Sequence, residues 1–119
     1  MKMKPKRIQR KRVKGWNMQA ASPNSLPVVS VTRPGKWGNP YRVIGLDGHW
    51  FVFDGELFLC FEKKEQAVEC SIDLYREYIA HEHNSGRLNV NDLRGKNLAC
   101  FCKEGDPCHG DVLLELAQP

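Results

Sequence analysis

Cys100, Cys102, Cys108 and His109 fall within ten residues near the end of the chain, and Asp111 follows two positions on. The chain has five cysteines, so three of them sit in this one stretch. Thiolates and imidazoles are zinc ligands, and in other surroundings they are a nucleophile and its base. The spacing leaves three chemistries open. A zinc site built from Cys100, Cys102, Cys108 and His109 has a sensible donor set. It lacks the usual C-x(2–4)-C spacing, however, and asks two adjacent side chains to turn toward one ion. A thiol active site would use Cys102 or Cys108 as nucleophile, His109 as base and Asp111 to orient the imidazole. Asp111 equally fits a first-turn charge that complements the helix dipole. In the third chemistry the sulfurs only pack, as small hydrophobes.

The flanking residues say how these groups would be held. The apolar run 97–101 reads as a strand, with Cys100 and Cys102 two apart and so on one face. Glu104-Gly105-Asp106-Pro107 is a turn, and an amphipathic helix begins at or just after Cys108. A helix start presents free N–H groups and partial positive charge. Cys108 would gain thiolate character there, and the amides at 108–111, including those of His109 and Gly110, could hold an anion.

A second loop carries binding chemistry. Arg33-Pro34-Gly35-Lys36-Trp37-Gly38-Asn39-Pro40 follows a β-branched run over 27–32 that reads as a buried strand. Loops at the carboxyl ends of strands build ligand sites in α/β domains. Arg33 and Lys36 suit phosphate, Trp37 suits stacking on a base, and Asn39 adds an amide. Trp37 taken alone reads slightly better as a core plug.

Elsewhere, 41–44 and 49–53 flank Asp47-Gly48 as a hairpin, and 57–61 is a third short apolar run. Residues 64–82 form the longest expected helix, with Val68, Ile72, Tyr75 and Ile79 as its apolar stripe and Asn84-Ser85-Gly86 as its stop. Residues 91–94 suggest a helical turn. The last helix is expected to bury Val112, Leu113, Leu116 and Ala117. The order β, β-hairpin, α, β, α gives an α/β or α+β fold: a small layered sheet with a β-hairpin and two main helices, in one domain spanning 1–119. Cys60 and Cys70 read as small buried hydrophobes.

Composition narrows the class. No apolar run reaches the ~20 residues needed to cross a bilayer, and the reduced-thiol pattern argues for a cytoplasmic setting over a disulfide framework. The net charge of +4 hides an asymmetry: residues 1–14 hold eight bases (Lys2, Lys4, Lys6, Arg7, Arg10, Lys11, Arg12 and Lys14) and no acid. Such an arm suits contact with nucleic acid, and it equally fits a solvated start.

Several motifs occur together: Arg7-Ile8-Gln9-Arg10 through Lys14-Gly15-Trp16, Arg33 with Lys36-Trp37-Gly38-Asn39-Pro40, Leu93-Arg94-Gly95-Lys96, and Cys100-x-Cys102 with Cys108-His109-Gly110-Asp111-Val112-Leu113-Leu114. Taken together, the chain resembles an uncharacterised domain-of-unknown-function family of bacteriophages and bacteria, with a KWGNP loop and a C-x-C…CHGDVL tail. The resemblance spans almost the whole chain. It implies a compact α/β domain of phage type in a host cytoplasm, and a basic arm 1–16 that is partly ordered. It implies no activity. Asn17-Met18-Gln19 departs from the Arg-Met-Pro that often follows Gly-Trp in that family.

The leading expectation is a domain that binds a nucleotide or nucleic acid through the 33–40 and 100–111 loops, with Arg7, Arg10, Arg12 and Lys14 adding grip from the arm. The enzyme alternative is a small nucleotide- or base-processing protein working through Cys102, Cys108, His109 and Asp111. Zinc is the candidate cofactor of either. A third alternative is a phage interaction module aimed at a host protein.

Overall fold

The structure is a computed structural model that describes residues 4–118; Lys2 of the basic start lies outside them. It has two helices and two three-stranded sheets, a mixed α+β fold. The elements fall into two compact units. The first comprises residues up to Gly38 together with those from Asn89 onward, and the second is Asn39–Leu88. Charge divides with them. The first unit has 13 bases against 5 acids, or +8, and the second has 5 against 9, or −4.

In the first unit, β1 (Arg7–Gln9), β2 (Val28–Ser30) and β6 (Asn97–Cys100) form a parallel sheet in the order β1-β6-β2. The central strand β6 is buried at every position, as expected of a strand with neighbours on both edges and cover on its faces. The helix α2 (His109–Ala117) packs on β6, β1 and the 3-10 turn Val90–Leu93, burying Val112, Leu113 and Ala117. Leu116 departs from expectation at 38% exposed: it lies in the last turn, with one side open to solvent. The strand β1 is the element that the sequence hid. Its three residues are half-buried on an edge, a pattern too short and too charged to register as a strand.

Asn97 organises this sheet from a fully buried position. Its Oδ1 accepts from the Lys6 backbone N–H at 2.9 Å, and its Nδ2 donates to Ser22 Oγ at 3.0 Å and Asn24 Oδ1 at 2.8 Å. One amide therefore ties β6 to the start of β1 and to the loop before β2. A buried polar group is tolerated when it is satisfied in this way.

The second unit is an antiparallel sheet of β3 (Arg42–Leu46), β4 (His49–Phe53) and β5 (Phe58–Phe61), with α1 (Lys64–Asn84) packed on it. Asp47 and Gly48 both have positive φ, 53° and 79°, as a two-residue type I′ hairpin requires. Gly45 lies beneath the Trp50 ring, where a Cβ would come within 2.9 Å of ring carbon. The buried line of α1 is Ala67, Ser71, Tyr75 and Ile79, while Val68 and Ile72 are half-buried. Tyr75 and Ile79 are as expected, while the first half of the stripe is one position off because Ser71, a polar residue, belongs to it: its Oγ donates to the Tyr41 carbonyl at 2.6 Å and accepts from Asn39 Nδ2 at 2.9 Å. Cys60 also departs from expectation. It is exposed because Phe58 and Cys60 alternate onto the open face of β5, while Leu59 and Phe61 turn inward. Cys70 is half-buried. No helix among the described residues is long and apolar enough to cross a membrane.

Candidate metal centre

The strand β6 stops at Cys100, and residues 101–107 cross to Cys108, the N-cap of α2. Both ends of that connection are fixed. Cys108 Sγ accepts from the Gly110 amide at 3.4 Å and so takes the role that a hydroxyl or carboxylate oxygen plays at most helix starts. Between them a turn closes through Asp106 N–H to the Lys103 carbonyl at 3.0 Å, with Gly105 at φ 89°, a conformation that favours glycine.

This path brings three sulfurs together. The Sγ atoms of Cys100, Cys102 and Cys108 all lie within 4.8 Å of one another, with Cys100 and Cys108 buried and Cys102 half-buried. The Cys100–Cys108 sulfur separation is 3.2 Å. A tetrahedral zinc ion with Zn–S bonds of about 2.3 Å would hold sulfurs roughly 3.8 Å apart, so a small outward movement of this pair accommodates it. Cys102 lies beyond the strand's last residue; it joins the group through the bend at 101–102, and strand alternation is not what brings it there.

Arg7 of β1 reaches into the same place. Its Nη1 lies 3.6 Å from Cys100 Sγ, and its Nη2 donates to the carbonyls of Asp106 at 2.7 Å and Lys103 at 3.4 Å. Its Nε pairs with Asp111 Oδ1 at 2.9 Å, and the guanidinium side chain is only 10% exposed. Burial works against the charge on Arg7, but the bond to Cys100 and the nearby negative charge of Cys100 and Asp111 outweigh it and keep the guanidinium protonated. Gly110 makes room for this side chain, since a Cβ there would come within 3.2 Å of Arg7 Cδ.

The thiols divide accordingly. Hydrogen bonds from Cys102 and Cys108, assisted by Arg7 and opposed by burial, hold Cys100 far below the usual thiol range. Cys108 is pushed up by its bonds to Cys100 and Cys102 and by burial, and Cys102 is pushed up chiefly by Cys100. Of the three sulfurs, Cys100 is thus the one most inclined to ionise.

His109 stands beside this group but outside it. Its Nε2 is 2.6 Å from the Val31 carbonyl oxygen, just past β2, so Nε2 carries the proton and donates it. Its Nδ1 then faces Cys108 Sγ at 3.7 Å. Burial lowers the ring's proton affinity, partly opposed by the Val31 carbonyl, which keeps the imidazole neutral. Asp111 lies in the first turn of α2, the helix-charge position expected of it, and pairs with Arg7; His109 is oriented instead by the Val31 carbonyl.

The remaining expected residues are spread out. Arg33 and Lys36 are exposed, and the Arg33–Pro34 peptide is cis. Gly38 lies so close to Arg33 that a Cβ would meet the Arg33 backbone at 2.9 Å. Trp37 is 4% exposed and acts as a core plug. Asn39, in the second unit, is a buried structural amide that accepts from Tyr41 N–H at 2.9 Å. The Gly110 amide donates to Cys108 Sγ and the Asp111 amide to the Cys108 carbonyl, so both are already engaged within the helix start. In the basic arm, Arg10 donates to Ser30 Oγ at 3.0 Å and Thr32 Oγ1 at 2.9 Å, Arg12 lies 3.8 Å over the Phe101 ring, and Lys14 is exposed. The arginine that matters most to the sulfur site, Arg7, read in sequence as one charge among eight. Its single sequence signal was its place at the head of the run Arg7-Ile8-Gln9-Arg10.

Residues 8–119 match the family described as a domain of unknown function (DUF4326), and the chain belongs to it. No curated protein and no solved structure matches the chain.

Proposed function

We propose that this member of a family without an assigned activity carries a zinc centre held by Cys100, Cys102 and Cys108 at the carboxyl end of its parallel sheet. The observation that supports it is the convergence of three sulfurs within 4.8 Å, two of them buried. Three thiolates around a divalent ion leave one net negative charge, and the Arg7 guanidinium, 3.6 Å from Cys100 Sγ, neutralises it. A buried charge needs such a partner. Three protein donors leave the fourth vertex of a tetrahedral ion for water or a substrate atom, the arrangement of catalytic zinc sites. His109, with Nε2 donated to a backbone carbonyl, has the fixed tautomer typical of residues that serve such sites.

Elemental analysis of protein purified without chelator tests this reading. About one zinc per chain is expected, lost in Cys100→Ser and Cys108→Ser and kept in Cys60→Ser. Metal well below one per chain in the unmodified protein overturns it. Zinc lost in His109→Gln would make the site a closed, four-ligand one.

A second reading rests on a different observation. The open face of the second unit's sheet leaves Phe58 and Leu46 each 60% exposed and Ile44 41% exposed, with Phe51 stacked on Phe58 at 4.8 Å. An apolar patch of this kind suits a protein partner. That reading predicts a host-protein complex abolished by Phe58→Ser and indifferent to Cys108→Ser.

A further inference from the structure

We propose that the cleft along the outer edge of β1 binds single-stranded nucleic acid, with Lys6 and Lys11 on phosphates and Trp16 stacking on a base. The cleft measures about 370 Å³ and is lined by Lys6, Arg7, Gln9, Lys11, Trp16 and Glu104 among others, all of them in the first unit. Its volume falls in the usual range for small-ligand sites, about 300–1,000 Å³, so it admits a nucleotide.

Four features point to a polyanion with aromatic rings. The first is charge: the unit is +8 while its companion is −4, and Glu104 is the one acid among the lining residues. Arg7 is already committed to the sulfur site, but Lys6 and Lys11 are exposed on either side of the strand. Two such cations flanking the strand can each take a phosphate of one bound strand.

The second is Trp16. It is half-buried where Trp37 is fully buried, and so has ring surface to offer. A turn holds it in place, with its N–H donating to the Val13 carbonyl at 3.0 Å and Gly15 at φ 84°. Every base has a π-face, so an indole set among cations binds single strands with little sequence preference. The third is the strand edge itself. Lys6 O and Arg10 N pair with β6, so the main-chain groups of Arg7 and Gln9 face the opposite, outer edge. They supply donors and acceptors for phosphate or base edges. The fourth is order: β1 is part of the sheet, so Arg7–Gln9 present a fixed edge that needs no folding on contact.

This site is independent of metal. The test is fluorescence anisotropy of labelled oligothymidylate and oligouridylate against the full chain, beside a duplex of equal length and heparin as a polyanion without bases. Binding to single strands, tighter than to duplex or heparin and weakened by salt, is expected. In the exposed-residue double variant Lys6→Ala/Lys11→Ala, affinity should fall at least about tenfold, with the salt slope reduced by about 1.4 for two lost phosphate contacts. Trp16→Ala should cost about tenfold with the salt slope unchanged, and Trp16→Phe should recover most of it. The Phe variant separates stacking from a folding defect. Absence of binding at low salt, equal affinity for duplex or heparin, or indifference to the lysine pair overturns the proposal.

Discussion

Arg7 Nε and Asp111 Oδ1 are 2.9 Å apart although they lie at opposite ends of the chain, and their contact closes the sulfur site between the edge strand and the last helix. The two partners are unequal. Arg7 is 10% exposed and also binds Cys100 and two loop carbonyls, while Asp111 is 52% exposed. The pair acts less as a salt bridge than as one contact of an arginine that organises the 101–107 loop.

That inequality gives the first prediction. Arg7→Ala should cost about 2–3 kcal/mol, because charge-assisted hydrogen bonds to two carbonyls and a sulfur vanish together. Asp111→Ala removes one half-exposed acceptor and should cost below about 1 kcal/mol. Urea unfolding of the two variants checks the ranking, and equal costs would contradict it.

The zinc reading predicts a thermal signature. Metal that binds only the folded chain at 100–1,000 times its dissociation constant adds about 3–4 kcal/mol. In a chain of 119 residues this corresponds to a melting-temperature drop of about 10 °C on chelation. The same chelator should leave the melting of Cys108→Ser unmoved. A shift of equal size in that variant would mean that the metal sits elsewhere.

The sequence disclosed some of this architecture and hid the rest, for physical reasons. Helix periods were readable in α1 and α2 because burial of one face repeats there. The Asp47-Gly48 turn was readable because few dipeptides take positive φ at both positions. Cys100, Cys102 and Cys108 were legible as a group, since their types are rare and chemically directed. Arg7 and Asn97 were not. Each acts through partners more than ninety positions or some seventy positions away, and no local pattern encodes such contacts. The roles of His109 and Asp111 were half legible: both are at the site, but the carbonyl that orients His109 belongs to Val31, and a carbonyl leaves no mark in the sequence.

Asn97→Leu keeps the heavy-atom count of a fully buried side chain and removes all its bonds. The Lys6 amide, the Asn24 amide and Ser22 Oγ would then lose partners in the interior. The Asn24 amide keeps its bond to the Lys4 carbonyl and Ser22 Oγ its bond to the Leu26 carbonyl, so the Lys6 amide is the group left unsatisfied, and the expected cost is about 2 kcal/mol. Differential unfolding of Asn97→Leu against Leu98→Ala, a purely apolar loss, would show comparable damage. A neutral Asn97→Leu would mean that the network contributes nothing net.

The last prediction concerns pH and His109. Burial makes this ring a weaker base than an ordinary histidine, and the Val31 carbonyl only partly compensates. A histidine whose folded-state proton affinity is lowered favours the unfolded chain once protons are available, because the unfolded ring near pKa 6.5 takes one first. Its contribution is therefore fully present above the ordinary histidine range. It is lost as pH falls from about 6.5 toward the lower folded-state value. Chelator-treated protein isolates this effect from metal release. The melting temperature should fall between pH 7.5 and 5.5 and fall less in His109→Gln, whose amide can still donate to Val31 but does not titrate. Nitrogen NMR of the wild type should find the proton on Nε2 at neutral pH, with the ring titrating below its unfolded value. An identical pH dependence in the glutamine variant, or a ring protonated on Nδ1, would contradict this reading of the Val31–His109 contact.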